Sequence, residues 1–142
     1  MTAIDLPPIG IAGTGTYIPS AVVTGAEIAA RTGLPEFVVI EKMGIREIHV
    51  AGPDDTITAM ASRAAQAALD DADLDPADLD LVVYHGSEYK DHIVWSAASK
   101  IQDLIGARNA YAFEMYALCA GAPIAYKAVR DMMRVDPRLN NV

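Results

Sequence analysis

Tyr111-Ala112-Phe113-Glu114-Met115-Tyr116-Ala117-Leu118-Cys119-Ala120-Gly121-Ala122-Pro123 is the stretch on which the fold class turns. Ala110 to Glu114 reads as a short strand. A helix then starts near Cys119 or Ala120 and runs to about Arg134, where Asp136-Pro137 ends it. Upstream the same order recurs. Leu79 to His85 is a continuous apolar run of the kind buried on both faces of a sheet. A polar loop, Gly86 to His92, leads into a helix from about Trp95 to Ile105, with Gly106 placed as a C-cap glycine. Strands alternating with helices predict an α/β fold with a largely parallel sheet.

Further out, Ile9-Gly10-Ile11-Ala12-Gly13 predicts a short buried strand, followed by a bend from Thr14 to Pro19. A first strand ending in glycines invites a dinucleotide-binding reading. That motif needs a third glycine and a helix starting where Tyr17-Ile18-Pro19 stands, so it fails. Thr24-Gly25-Ala26-Glu27 is a capping box, opening a helix from Gly25 to about Arg31 that Gly33 and Pro35 stop. Phe37 to Lys42 predicts a second helical turn, and Gly44 to Val50 an extended segment. A long helix follows, capped from Asp54, Asp55 or Thr56, with Ile57, Met60, Ala61, Ala64, Ala68 and Leu69 on one face. A stripe so rich in alanine predicts close packing against another element.

The 142 residues are 52% hydrophobic and 21% charged, enough apolar content for a core and too much for a disordered tail. Nineteen acidic against eleven basic residues leave a net charge of -8. Such a surface repels a phosphate backbone, so no nucleic-acid partner is expected. No apolar run approaches the ~20 residues of a membrane span. Met1 to Pro8 lacks the basic start of a signal peptide, and no membrane partner is expected. A single cysteine excludes a disulfide framework and suits a reducing cytoplasm. Asn140-Asn141-Val142 reads as the opening of another strand, so the chain is expected to be a cut through a longer protein.

Three groups of residues could carry chemistry. Cys119 falls between a strand and a helix, at the carboxyl edge of the sheet where open α/β folds place their sites. A helix N-terminus there favours a thiolate nucleophile. Small neighbours at Ala117, Ala120, Gly121 and Ala122 admit a bulky acyl group, and nearby amides could form an oxyanion hole. The plain alternative is a buried small apolar residue. His85, Glu88, Asp91 and His92 cluster after the preceding strand but match no metal-ligand spacing. Glu88 falls at the same sheet edge as Cys119, which suits a proton donor or acceptor. The acids from Asp70 to Asp80 lack the spaced ligands, central glycine and closing glutamate of a calcium loop and predict a solvated connection. No metal site is expected.

Met43-Gly44-Ile45-Arg46 with the run to Thr56 resembles the glycine–isoleucine–arginine stretch of β-ketoacyl-ACP synthase III enzymes. So do Gly13-Thr14-Gly15-Thr16-Tyr17-Ile18-Pro19 with Val23-Thr24, Ser99 to Gly106, Ala112-Phe113-Glu114 and Cys119-Ala120-Gly121, in the family's order and spacing. The resemblance implies the thiolase fold, in which two similar α/β halves pack into five layers, usually in a homodimer. Residues 1–142 would be most of the N-terminal half, with the C-terminal half missing or supplied by a partner chain. In the family the cysteine accepts an acyl group from acyl-CoA or an acyl carrier protein, as substrate and not bound cofactor, before a Claisen-type condensation. The pantetheine arm reaches the thiol through a tunnel.

Two departures follow. The family's CoA-gripping tryptophan and arginine are replaced, with Val38 (Phe37 beside it) and Lys42 near those positions. Lys42 is left to meet a CoA phosphate as a point charge. Phe113-Glu114-Met115, Cys119 and Pro123 are instead similar to the nucleophile segment of 3-hydroxy-3-methylglutaryl-CoA synthases, whose catalytic glutamate stands about where Glu88 does. Both families draw a histidine from the second half, so this chain alone is expected to lack turnover. The different-class alternative is a non-catalytic binding or interface module.

Overall fold

The computed structural model describes residues 8–86 and 90–142. They fall into two compact units: Tyr17–Thr56, and a larger one formed by residues up to Thr16 with Ile57–Val142.

In the smaller unit, β1 (Ala21–Thr24) pairs antiparallel with β2 (Glu47–Val50), from Ala21 opposite Val50 to Thr24 opposite Glu47. The sequence reading expects β2 and no strand at Ala21–Thr24. Helix α1 (Gly25–Thr32) follows at once. Thr24 Oγ1 accepts from the Glu27 amide at 3.2 Å, and the Glu27 carboxylate accepts from the Thr24 amide at 2.8 Å. The capping box forms as expected, and the Thr24 backbone amide leads in holding the Glu27 carboxyl below its ordinary range. A Cβ at Gly25 would lie 2.5 Å from the Ile45 carbonyl oxygen, so only glycine lets α1 start against that backbone. Gly33, at φ 73°, ends the helix. The turn expected from Phe37 is π-helical over Val38–Lys42 and buries Val39 completely.

In the larger unit, β3 (Leu81–His85) pairs in parallel with β4 (Tyr111–Met115), Leu81 beside Tyr111 and His85 beside Met115. Helices α2 (Ile57–Ala72) and α3 (Ala97–Ile105) pack together on this pair, and α4 (Gly121–Val135) packs on β3. Leu69, Leu79, Ile101, Ile105, Ala107 and Ala110 form the core, with Val82 and Tyr84 against it. By the two-residue period of a strand, His85 faces the other way, and it meets Gly121 of α4. Helix layers of this kind are what a parallel pair needs. Among the described residues, no helix is long and apolar enough to cross a membrane.

The buried strand expected at Ile9–Gly13 is not formed; residues 8–19 make no strand ladder, and Ile11 is 68% exposed. The glycines do something else. A Cβ at Gly13 would stand 2.4 Å from the Ala68 carbonyl oxygen, and one at Gly15 2.1 Å from that of Ala64. The segment lies directly on the α2 backbone, and that contact is what the alanine stripe accommodates. Three of the six acids of the expected solvated connection accept backbone amides: Asp71 from Thr14 at 2.9 Å, Asp75 from Ala77 at 2.8 Å, and Asp80 from Asn140 and Asn141 at 2.7 and 3.0 Å. These last two amides, Asn140 foremost, hold the Asp80 carboxyl below its usual range.

Candidate active site

Cys119 is exposed, so the reading as a buried apolar residue does not hold. It sits mid-way in a 3-10 turn, Leu118–Ala120, that joins β4 to α4. The helix begins at Gly121, two residues after the thiol and slightly later than the expected start near Cys119 or Ala120. Leu118 adopts φ 47°, a left-handed conformation that a Cβ-bearing residue enters at a cost of roughly 1 to 3 kcal/mol. Such a residue persists only when its surroundings hold it. The Ala120 amide donates to the Ala117 carbonyl at 3.0 Å, and the Gly121 amide donates to that of Leu118. Two of the amides near the turn, where an oxyanion hole was expected, therefore already donate within it.

Behind the thiol, a Cβ at Gly121 would come 2.8 Å from His85 Nδ1. Glycine is what lets the imidazole lie against the turn. Ahead of it, Glu114 is paired with Lys90, and its Oε1 accepts from the Ala98 amide at 3.2 Å. Burial pushes the Glu114 carboxyl up, but Lys90 and the amides of Ala98 and Ala97 outweigh it and leave the group below its ordinary range. A carboxylate at the first turn of α3 also meets the positive end of the helix dipole. Lys90 Nζ donates to the Trp95 carbonyl at 3.3 Å and lies 5.5 Å from the Tyr116 ring centroid. Asp91, next along, accepts from the Ile57 amide at 3.1 Å and from the Thr58 hydroxyl, placing an anion at the start of α2.

Of the residues singled out by sequence, Glu88 lies outside the described residues. Lys42 is exposed at the end of the π-helical turn in the smaller unit. His92 stacks edge-on against Trp95 at 5.0 Å. Among the described residues, no group of three or more metal-ligating side chains stands together. A groove of about 600 Å³ in the larger unit reaches His85 and Ala122, but Cys119 is not among its walls. Sequence reasoning missed the Lys90–Glu114 pair. An acid in the otherwise uncharged strand Tyr111–Met115 was the available signal, since a half-buried carboxylate needs a cation.

No family model matches the chain. β-Ketoacyl-[acyl-carrier-protein] synthase III of Methylococcus capsulatus is 40% identical over 111 residues, 78% of this chain and 34% of that protein. The chain is homologous to β-ketoacyl-ACP synthase III. It spans little more than a third of the length of the curated relatives it matches. The crystal structure of the synthase III from Aquifex aeolicus superimposes with a TM-score of 0.74 at 31% identity, covering 87% of this chain and 39% of that one. MvaS, solved in complex with 3-hydroxy-3-methylglutaryl coenzyme A, matches with a TM-score of 0.77 at 24% identity, over 87% of this chain and 30% of its own, which speaks to fold alone. The expected thiolase-type α/β fold is that of these synthase III structures.

Proposed function

We propose that residues 1–142 are most of the N-terminal, nucleophile-bearing half of a condensing acyltransferase like β-ketoacyl-ACP synthase III. The other half lies beyond this sequence or on a partner chain, and the enzyme works as a cytoplasmic homodimer. The observation that carries the reading is the exposed lone cysteine, Cys119, on the turn that opens α4. The Cys119 thiolate attacks the thioester carbonyl of an acyl-CoA or acyl carrier protein. The carbon–sulfur bond to pantetheine breaks, the released thiolate takes a proton, and the acyl group stays on Cys119. A carbanion then attacks the acyl carbonyl, forms the new carbon–carbon bond and frees the cysteine thiolate. The donor is substrate throughout, and the step calls on no metal or bound cofactor.

The sequence resemblance also assigns Glu88 as general acid or base and Lys42 as a point charge for a CoA phosphate. A second reading, a 3-hydroxy-3-methylglutaryl-CoA synthase-like condensation, draws on Phe113-Glu114-Met115 and Pro123 around Cys119.

Incubating the complete protein with radiolabelled acetyl-CoA and trapping it in acid tests the assignment. Label is expected on Cys119 and absent from Cys119→Ser. No label on the complete protein identifies a non-catalytic binding or interface module. Glu88→Gln is expected to keep the label and lose condensation; unchanged condensation removes Glu88 from the mechanism. The 142-residue chain alone is expected to show no turnover.

A further inference from the structure

We infer that the groove beside β3 is the seat of the polypeptide directly following Val142, which lies there as a strand parallel to β3 and draws Ile9–Gly13 into the same sheet. This rests on the reading of residues 1–142 as the N-terminal part of a longer enzyme. β3 bonds to β4 along one edge, and among the described residues its other edge carries no strand. The groove opens on that free edge. Val82 and Val83 both line it, although neighbours on a strand point to opposite faces, and no residue of β4 does. Leu69 of α2 and Val129 and Met133 of α4 make its other walls mainly apolar, which suits an apolar occupant.

The chain is already led into this groove. The Asp80 amide, one residue before β3, donates to the Asn141 carbonyl at 2.9 Å, and the Asp80 carboxylate accepts the amides of Asn140 and Asn141. Asn141 Nδ2 donates to the Asp78 carbonyl at 3.0 Å. Asn141 and Val142 themselves line the groove. Polypeptide pinned beside the start of β3 and continuing past Leu81 toward His85 runs in the direction of β3, which makes the pairing parallel. The curated relatives continue well beyond this point, since the chain covers 34% to 38% of their length. Ile9–Gly13 lines the same groove without a ladder to hold it, and Ile11 is 68% exposed. Gly13 is seated on the α2 backbone, whereas a Cβ at Gly10 would meet nothing within 4 Å. Backbone amides and carbonyls of an apolar segment need bonded partners. A strand in the groove supplies them and covers Ile11.

Thiol labelling tests the seat. Cys119 is the sole cysteine, so in a Cys119→Ser background Val129→Cys puts a single thiol on the groove wall, and Met133→Cys repeats the measurement one helical turn on. Three chains are compared, each against itself in urea: residues 1–142, the same chain with the next ten encoded residues, and the complete protein. Ten residues at ~3.3 Å each exceed the length of β3. In residues 1–142 maleimide is expected to label the introduced thiol within about tenfold of the urea rate, and about a hundredfold more slowly once the ten residues are present. Hydrogen exchange at Ile9–Gly13 is expected to slow about tenfold in the same extended chain. Equal labelling with and without the ten residues overturns the inference, as does a thiol already protected in residues 1–142. Protection confined to the complete protein overturns it too, because the occupant then comes from elsewhere in the other half. Unchanged exchange at Ile9–Gly13 shows that no shared sheet forms and has the same result. Acyl labelling of Cys119 is read separately on the unmodified complete protein. Acylation with an open groove sinks this inference and spares the acyltransferase; a filled groove without acylation does the reverse.

Discussion

The described residues form two pairs of strands, and they are built on different physics. The parallel pair, β3 with β4, is walled by α2 and α3, with α4 packed on β3, and it buries Leu81 completely. The antiparallel pair, β1 with β2, leaves Val22, Ile48 and Val50 about 40% exposed or more. Its order comes from polar and backbone contacts: the Thr24–Glu27 capping box, Gly25 donating to Arg46 at 2.7 Å, and His49 bonded to the Pro19 carbonyl at 2.6 Å. A candidate nucleophile needs a rigid base, and Cys119 stands on the pair held by packing. The turn above it is closed by its own backbone bonds, the Ala120 amide to the Ala117 carbonyl and the Gly121 amide to that of Leu118, so packing supplies the platform and local backbone bonds shape the turn.

The sharpest break between the pairs is expected from matched truncations. Leu81→Ala should cost about 2 to 5 kcal/mol, the range for a fully buried leucine. Ile48→Ala, at a side chain 44% exposed, should cost under about 1 kcal/mol. Urea denaturation of both variants checks this. Equal losses would mean that the antiparallel pair is packed as tightly as the parallel one.

The same contrast explains what could be read from the sequence. Leu81–His85 and Tyr111–Met115 were legible because burial on both faces writes itself as an apolar run. The place of Cys119 between β4 and α4 was legible because a strand, a turn and a helix must meet there. The strand Ala21–Thr24 was not, since a half-exposed pair leaves no clear alternation in four residues. Ile9–Gly13 misled for the opposite reason: Gly13, with Gly15 beyond it, serves the close approach to Ala68 and Ala64, a helix contact that looks like a strand end in one dimension. Lys90 and Glu114 are 24 residues apart. Their pairing depends on β4 lying beside the loop after β3, which no local pattern encodes.

A second, smaller effect separates the pairs by pH. Glu114 titrates below its ordinary range in the folded protein. The stability it contributes is therefore present above the unfolded carboxylate value, about 4.3, and is lost as pH falls through the lower folded value. At pH 7, Glu114→Gln should cost roughly 1 to 3 kcal/mol, as for a hydrogen bond to a charged group. The gap between variant and parent should close as pH drops below about 4. Urea midpoints measured from pH 7 to pH 3 test the trend. A gap independent of pH would mean that Glu114 acts by shape and not by charge.

The smallest effect belongs to the antiparallel pair, where one side chain does two jobs. Thr24 closes β1 and caps α1, accepting from the Glu27 amide while its own amide donates to the Glu27 carboxylate. Thr24→Ala removes the side-chain acceptor and leaves the amide-to-carboxylate bond, so the expected loss is about 1 kcal/mol. Thr24→Ser keeps the oxygen and should recover most of it. Because the cap and the last rung of the β1–β2 ladder share this residue, hydrogen exchange should quicken in both α1 and β2 for the alanine variant, while β3 and β4 keep their protection. Faster exchange throughout would show that the smaller unit unfolds only with the larger one, and the contrast between packed and tethered strand pairs would then describe one cooperative body.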